Sequence, residues 1–154
     1  MDLNDYFHGG YTCTNNKYTV FGRVDLFNRN FKVLPWAFQE VHGWFDCSNN
    51  YLESFLGIPE QIHDSLDCSN NKLTSMRGCP KFIKGKIDIY GNKIPPWELR
   101  YLLFSEIQGG VYLSSIELDH FFKQYQNKKH LIPEALKELR LLQIKADRKE
   151  LYDF

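Results

Sequence analysis

The hydrophobic and polar positions of this chain repeat every 21 residues. The segment Val41–Pro59 reads V-H-G-W-F-D-C-S-N-N-Y-L-E-S-F-L-G-I-P, and Ile62–Pro80 reads I-H-D-S-L-D-C-S-N-N-K-L-T-S-M-R-G-C-P. The same register extends back to a degenerate copy, Val20–Phe31, and forward to Ile83–Ile94. A turn of this length leaves little room for a helix, so the pattern predicts four turns of a solenoid built on short parallel strands.

Aligning the copies places apolar residues in four columns. No single turn can bury these side chains, but strands stacked about 4.8 Å apart would bury them in one continuous core. The columns are Val20, Val41, Ile62 and Ile83; Val24, Phe45, Leu66 and Ile87; Leu26, Cys47, Cys68 and Ile89; and Phe31, Leu52, Leu73 and Ile94.

Asparagine and glycine occupy fixed positions around the strand. Asparagine follows it at Asn50, Asn71 and Asn92, where a side-chain amide can satisfy backbone groups as the chain turns away. Glycine precedes it at Gly22, Gly43 and Gly85. At these glycines we expect either a positive φ or a close approach of two backbones.

The segments on either side of the repeats differ from them in pattern. Residues 1–19 are expected to form an N-terminal cap, in which Cys13–Tyr18 is either a truncated turn or part of the cap. Residues 95–154 are expected to form a C-terminal helical cap or module. Its helices are expected over Pro95–Ile107, over Ser115–Tyr125 with Ser114 or Ser115 as the cap, and from Pro133 to either Ala146 or Leu151. The predicted fold class is therefore α+β, with the repeats over residues 20–94.

The repeat motif D-C-S-N-N-x-L-x-S-x-x-G-x-P resembles the short leucine-rich repeats of bacterial and phage proteins. It is similar, more loosely, to the repeats of secreted bacterial ubiquitin-ligase effectors. The resemblance implies a binding scaffold. Ligase activity is not carried over, because those enzymes place a nucleophilic cysteine in a large helical domain after the repeats, and no cysteine follows Cys79 here.

Composition narrows the classes of partner. Lysine plus arginine equals aspartate plus glutamate, 19 against 19, and the parts before and after residue 94 are each neutral. Such a balance predicts no nucleic-acid partner. The N-terminus lacks the pattern of a signal peptide, and no apolar run is long enough to span a membrane. With four cysteines and no export signal, we expect reduced thiols and a cytoplasmic protein without a membrane partner.

Metal ligands and cofactors are not expected. Cys47 and Cys68 occupy equivalent inward positions and fit small core residues better than a disulfide. The histidines show no metal-binding spacing, and the repeat of His42 at His63 indicates a position in the turn. The sequence therefore predicts no metal and no cofactor.

The candidate binding site is the concave face of the strands. Four aspartates lie between two inward columns and so point outward, where stacked like charges raise one another's pKa. Either they form an acidic stripe that receives a basic or polar partner or a cation, or Ser48, Ser69, Arg23 and Lys86 satisfy them. Trp44 is either an exposed anchor or covered by a terminal segment. The predicted binding residues are Arg23, Asp25, Phe27, Trp44, Asp46, Asp67, Lys86, Asp88 and Tyr90.

The function predicted from these features is non-enzymatic binding of another protein. The resemblance favours a phage- or bacterium-encoded protein that binds a host protein and inhibits or redirects it. The alternative is a structural or accessory subunit of a larger assembly, such as a virion component. A third alternative, an enzyme, requires a cleft with converging titratable groups.

Overall fold

The computed structural model describes residues 2–152, and it describes side chains as far as residue 149. The chain forms a β-solenoid of five turns, and two α-helices follow the last turn. Each turn contributes one short strand to each of two sheets. The α+β fold class and the small repeat solenoid with a helical module are confirmed.

The strands of the first sheet, sheet I, are β1 (Tyr11–Thr14), β2 (Lys17–Val20), β4 (Ala37–Val41), β6 (Gln61–Ile62), β8 (Phe82–Ile83) and β10 (Glu106–Ile107), in that order. Those of the second, sheet II, are β3 (Val24–Asp25), β5 (Phe45–Asp46), β7 (Leu66–Asp67), β9 (Ile87–Asp88) and β11 (Val111–Tyr112). The β1–β2 hairpin is antiparallel, and the other pairs are parallel.

The predicted apolar columns form the core. Val20, Val41, Ile62 and Ile83 pair in register along sheet I, and each is fully buried. The column that begins at Val24 does the same along sheet II. Only the outermost members of the last column, Phe31 and Ile94, are partly exposed. The solenoid is stabilised by burial of apolar side chains between turns, because a single turn would leave these side chains exposed to water.

The two adjacent asparagines of each repeat have different tasks. The first, at Asn49 and Asn70, adopts the left-handed region with φ of 54° and 52°, which asparagine tolerates better than most residues. The second, at Asn50 and Asn71, is buried, and its amide bridges the backbones of neighbouring turns. The asparagine pair therefore both turns the chain and joins one turn to the next.

The N-terminal cap covers the first edge of sheet I. A 3-10 helix over Leu3–Asp5 leads into the β1–β2 hairpin, whose turn residues Asn15 and Asn16 both have positive φ. Such a two-residue turn matches the twist of a hairpin. Cys13–Tyr18 therefore forms a hairpin and not a truncated turn: Cys13 and Thr14 lie in the cap strand β1, and Lys17 and Tyr18 lie in β2, the first strand of the parallel stack. Phe7 anchors the cap, because its buried ring packs against Tyr18 and Phe38.

The prediction that the repeats end after four turns and that a helix covers Pro95–Ile107 is wrong, because a fifth turn follows. A 3-10 helix spans Pro96–Phe104, and the chain then forms a fifth turn with strands β10 and β11. Ile107 pairs with Ile83 at a spacing of 24 residues, because the 3-10 helix lengthens the return segment. The segment Ile107–Leu113 reads I-Q-G-G-V-Y-L and matches I-K-G-K-I-D-I of the fourth turn, and the longer spacing hides it from a strict period.

The helices close the other end of the solenoid. Helix α1 spans Ile116–Tyr125, and Ser115 caps it by accepting a hydrogen bond from the N–H of Leu118 at 3.3 Å. Helix α2 spans Ile132–Tyr152 and packs on the 3-10 helix and on α1. Between the helices, the Asn127 amide bonds both the N–H and the carbonyl of Ile107. That side chain satisfies the edge of β10 where a sixth turn would otherwise pair.

The cysteines are free thiols. Cys47 and Cys68 are fully buried on adjacent turns, whereas Cys13 is exposed in β1. Burial raises the pKa of the Cys47 and Cys68 thiols well above the ordinary value. The two residues therefore act as small core side chains, as predicted.

Candidate protein-binding face

The predicted binding residues lie together on the outer face of sheet II, which we call the Asp face. Asp25, Asp46, Asp67 and Asp88 pair in register along four adjacent strands and are half-buried. Arg23, Trp44 and Lys86 flank this column on one side, and Phe27 and Tyr90 flank it on the other. The 21-residue repeat puts them there because each occupies the same position in its turn.

Each aspartate accepts a hydrogen bond from the backbone two residues further on. The Oδ1 atom of Asp46 accepts from the Ser48 N–H at 2.9 Å and from the Ser48 hydroxyl at 2.6 Å. Asp67 does the same with Ser69, at 3.0 and 2.6 Å. Asp25 and Asp88 accept only the backbone N–H, since Phe27 and Tyr90 stand in place of serine. The carboxylates therefore brace the turn that follows each strand.

The basic residues of the Asp face do not pair with the carboxylates. The Arg23 guanidinium lies 5.4 Å from the centre of the Trp44 ring, and the Lys86 ammonium lies 4.7 Å from that of Tyr112. Within residues 2–149, no salt bridge involves the aspartate column. The two serines thus contribute to satisfying the column as the sequence suggested, whereas Arg23 and Lys86 do not.

The aromatic residues differ in exposure. Phe27, Tyr90 and Tyr112 are 48%, 56% and 51% exposed, whereas Trp44 is partly buried beneath Arg23. Tyr112 is a residue that sequence reasoning missed, because it belongs to the fifth turn, where it replaces aspartate and pairs with Asp88. The face therefore combines a row of carboxylates with exposed aromatic rings, which are the side chains that anchor many protein interfaces.

Asp46 has a perturbed acidity. Burial raises its pKa above the ordinary value, the hydrogen bonds from Ser48 lower it, and the charges of Asp67 and Asp25 raise it further. The balance is a raised pKa, so the ionised carboxylate of Asp46 is less stable in the folded chain than in the unfolded chain. At neutral pH the charge of Asp46 is therefore held at the expense of stability.

We expect Asp46→Asn to stabilise the folded chain at pH 7. Asparagine keeps an oxygen that accepts from Ser48 but carries no charge. Because the folded pKa lies above the unfolded one, the destabilisation by Asp46 appears as pH rises through these values and is absent at lower pH. The variant should therefore melt at a higher temperature than the wild type at pH 7, and this gain should shrink by pH 3. A variant that melts at a lower temperature at pH 7 would contradict this account.

A second group of residues comes together on the outer face of sheet I. Glu40, His42 and His63 lie side by side there, although their sequence spacing matches no metal-binding motif. The stacking of β4 on β6 brings His63 beside His42 and Glu40. The repeat of His42 at His63 with the 21-residue period was the one signal in the sequence that could have indicated the group.

The fold defines the class of this protein as a capped β-solenoid with short parallel strands. A comparison with models of known protein families finds no match, and searches of curated proteins and of solved structures find none either. Within residues 2–152, neither α-helix combines the length and the apolar character needed to cross a bilayer.

Proposed function

We propose that this chain is a non-enzymatic binding protein whose Asp face receives a basic segment of another protein. The observation that carries the proposal is the in-register column of four carboxylates, which no lysine or arginine within residues 2–149 neutralises by a salt bridge. A partner segment that presents lysine or arginine side chains along the column would complement this charge.

The aromatic rings supply the second part of the proposed contact. Tyr90 and Phe27 lie at the ends of the aspartate column, and both are about half exposed. Rigid aromatic side chains bury a large area at little cost in conformational entropy, so they are suited to anchor the partner while the carboxylates orient it.

The resemblance of the repeats to those of bacterial and phage proteins extends the proposal to the partner's source. We propose that the partner is a host protein that this chain inhibits or redirects in the cytoplasm. A reducing compartment suits the free thiols of the core.

The test begins with capture of proteins from a bacterial lysate by the tagged chain, followed by affinity measurement with the purified captured protein. The decisive variant is the triple substitution Asp46→Asn, Asp67→Asn and Asp88→Asn, which removes three charges but keeps the acceptor oxygens that brace each turn. We expect it to weaken binding roughly 10-fold or more, and Tyr90→Ala to do likewise. The difference in affinity between the wild type and the triple variant should shrink as salt concentration rises, because salt screens the carboxylates of the wild type.

The matched control is Glu106→Gln, which removes a charge from the exposed face of sheet I. It should bind as the wild type does. A photo-crosslinking residue at position 90 should label the partner, and one at position 61 on sheet I should not. Equal binding by the triple variant and the wild type would refute the proposal, as would failure to capture any protein. Self-association on a sizing column that survives the triple substitution would favour the assembly-subunit alternative.

A further inference from the structure

The outer face of sheet I carries a compact group of three ligand-bearing side chains, which we call the His–Glu cluster: Glu40, His42 and His63. The Oε1 atom of Glu40 lies 2.6 Å from Nε2 of His63 and 3.6 Å from Nε2 of His42. One ligand atom from each residue lies within 4.8 Å of the others. The three side chains are 31%, 42% and 35% exposed, so an ion could reach them from solvent.

The solenoid holds the two imidazoles parallel. His42 and His63 follow β4 and β6 at equivalent positions, and their rings stack with centroids 4.9 Å apart and planes 28° apart. Phe21 packs on His42 at 5.3 Å and Phe82 on His63 at 5.7 Å, so aromatic rings flank the pair in the neighbouring turns. The backbone of each histidine is fixed by a hydrogen bond to the preceding turn, from His42 to Val20 and from His63 to Val41. Both nitrogens are thereby presented beside the same carboxylate.

The geometry points to a site for a divalent transition-metal ion, and we propose that the His–Glu cluster binds Zn²⁺. Two imidazoles and one carboxylate are a ligand set that zinc uses, at about 2.0–2.2 Å from each ligand atom. Tetrahedral coordination at those lengths separates ligand atoms by about 3.3 Å. The contact between Glu40 and His42 is already near that value, and the one between Glu40 and His63 opens by about 0.7 Å on binding. The stacked imidazoles must also turn about their χ2 angles so that their lone pairs, which lie in the ring planes, converge on the ion. The remaining coordination position is open to water.

Metal binding at this cluster requires a hydrogen to leave Nε2 of His63. An ionised carboxylate only accepts hydrogen bonds, so the contact of 2.6 Å places a hydrogen on Nε2 of His63. Zinc needs the lone pair of that nitrogen, and the hydrogen must leave Nε2, either by a change of tautomer or to solvent if the ring is protonated. Protons and Zn²⁺ compete for the ligand lone pairs, so affinity for Zn²⁺ falls as pH is lowered.

The test is a calorimetric titration of the full chain with zinc chloride, with imidazole signals followed by NMR. We expect one ion per chain at pH 7.5, shifts of the His42 and His63 signals, and weaker binding at pH 5.5. Glu40→Gln, His42→Gln and His63→Gln should each weaken binding by roughly 10-fold or more. Zinc should also raise the melting temperature of the wild type, because a ligand that binds only the folded chain stabilises it.

The matched control is His120→Gln, since His120 is an exposed histidine on α1 away from the cluster. It should bind zinc as the wild type does, and so should the triple asparagine variant of the Asp face. Unchanged zinc affinity in the double variant Glu40→Gln and His63→Gln would overturn the proposal. So would the absence of any shift at His42 and His63 in a tenfold excess of zinc, a result that depends on no variant folding.

Discussion

The variant Asn71→Ala is expected to lose a large part of the stability of the folded chain. Asn71 is 5% exposed, and its amide donates to the carbonyls of Cys47 and Cys68 at 3.0 and 3.1 Å. Its oxygen accepts from the N–H of Leu52 at 3.0 Å. Alanine would leave the N–H of Leu52 without a partner. It would also remove one of two amide donors from each carbonyl, since Asn50 still donates to Cys47 and Asn92 to Cys68. At about 1–3 kcal/mol for the unsatisfied N–H and about 0.5–1.5 kcal/mol for each of the two other lost hydrogen bonds, the expected loss is roughly 2–6 kcal/mol, against a typical total of about 5–15 kcal/mol.

Urea denaturation followed by tryptophan fluorescence measures this loss. Lys72→Ala is the matched control, because Lys72 is the exposed neighbour of Asn71, and its replacement should cost less than about 0.5 kcal/mol. Asn71→Asp is informative as well, since aspartate keeps the acceptor for Leu52 but puts an oxygen against two carbonyls; it should be no more stable than Asn71→Ala. A cost below about 1 kcal/mol for Asn71→Ala would mean that the asparagine ladder does not hold the turns together.

A second large loss is expected for Gly43→Ala. A Cβ atom at Gly43 would lie 2.7 Å from both the backbone nitrogen of Arg23 and the carbonyl carbon of Gly22. The neighbours are backbone atoms and cannot rotate away as a side chain can. Relief requires the turns to separate, which breaks the hydrogen bond of 2.8 Å from Gly43 N–H to the Gly22 carbonyl. Overpacking costs about 1–3 kcal/mol where side chains can adjust, so we expect about 3 kcal/mol or more here.

The third turn indicates how the solenoid accommodates a side chain at this position. Gly85 and Gly109 donate the same bond to the preceding turn, to the carbonyls of Asp64 and Gly85. Asp64 occupies the position that is glycine in the other turns, so it is the one residue there with a Cβ. Within the described part of the chain, its N–H donates no such bond to the carbonyl of Gly43. Gly43→Ala should therefore lose the hydrogen bond from its N–H to the carbonyl of Gly22, and no neighbouring residue in the variant is changed to compensate for this loss.

Gly10→Ala distinguishes the two reasons for which a position can require glycine, a positive φ and a close approach of backbone atoms. Gly10 has a φ of 85°, and nothing lies within 4 Å of a Cβ built on it, so its replacement is penalised by conformation alone. That penalty is about 1–2 kcal/mol. Chemical denaturation of both variants should rank Gly43→Ala as clearly less stable than Gly10→Ala. The reverse order would show that close backbone approach is not what requires glycine before the strand.

Several parts of the fold could be predicted from the sequence because they depend on local pattern. The 21-residue period placed the four apolar columns, since alternation along a strand decides which side chains point inward. It also placed the aspartate column on the outer face. The serine cap of α1 and the presence of α2 followed from capping and helical periodicity, although α2 extends to Tyr152, past Ala146. The close approach of two backbones at Gly43 was one of the two explanations that the sequence offered for a glycine there, the other being a positive φ.

Other features depend on which side chains meet when turns stack, and the 21-residue period alone does not determine them. These features were decided by the tertiary structure. The fifth turn was missed because three additional residues in the return segment shift Ile107 and Tyr112 out of register, although their strands still pair with β8 and β9. The structure also decided that Arg23 stacks on Trp44 and forms no ion pair with an aspartate. Glu40, His42 and His63 meet because the pairing of β4 with β6 brings His63, which follows β6, beside Glu40 in β4 and His42, which follows β4. Sequence periodicity determines the face on which a side chain lies, but its neighbours across turns depend on the length and path of every return segment between them.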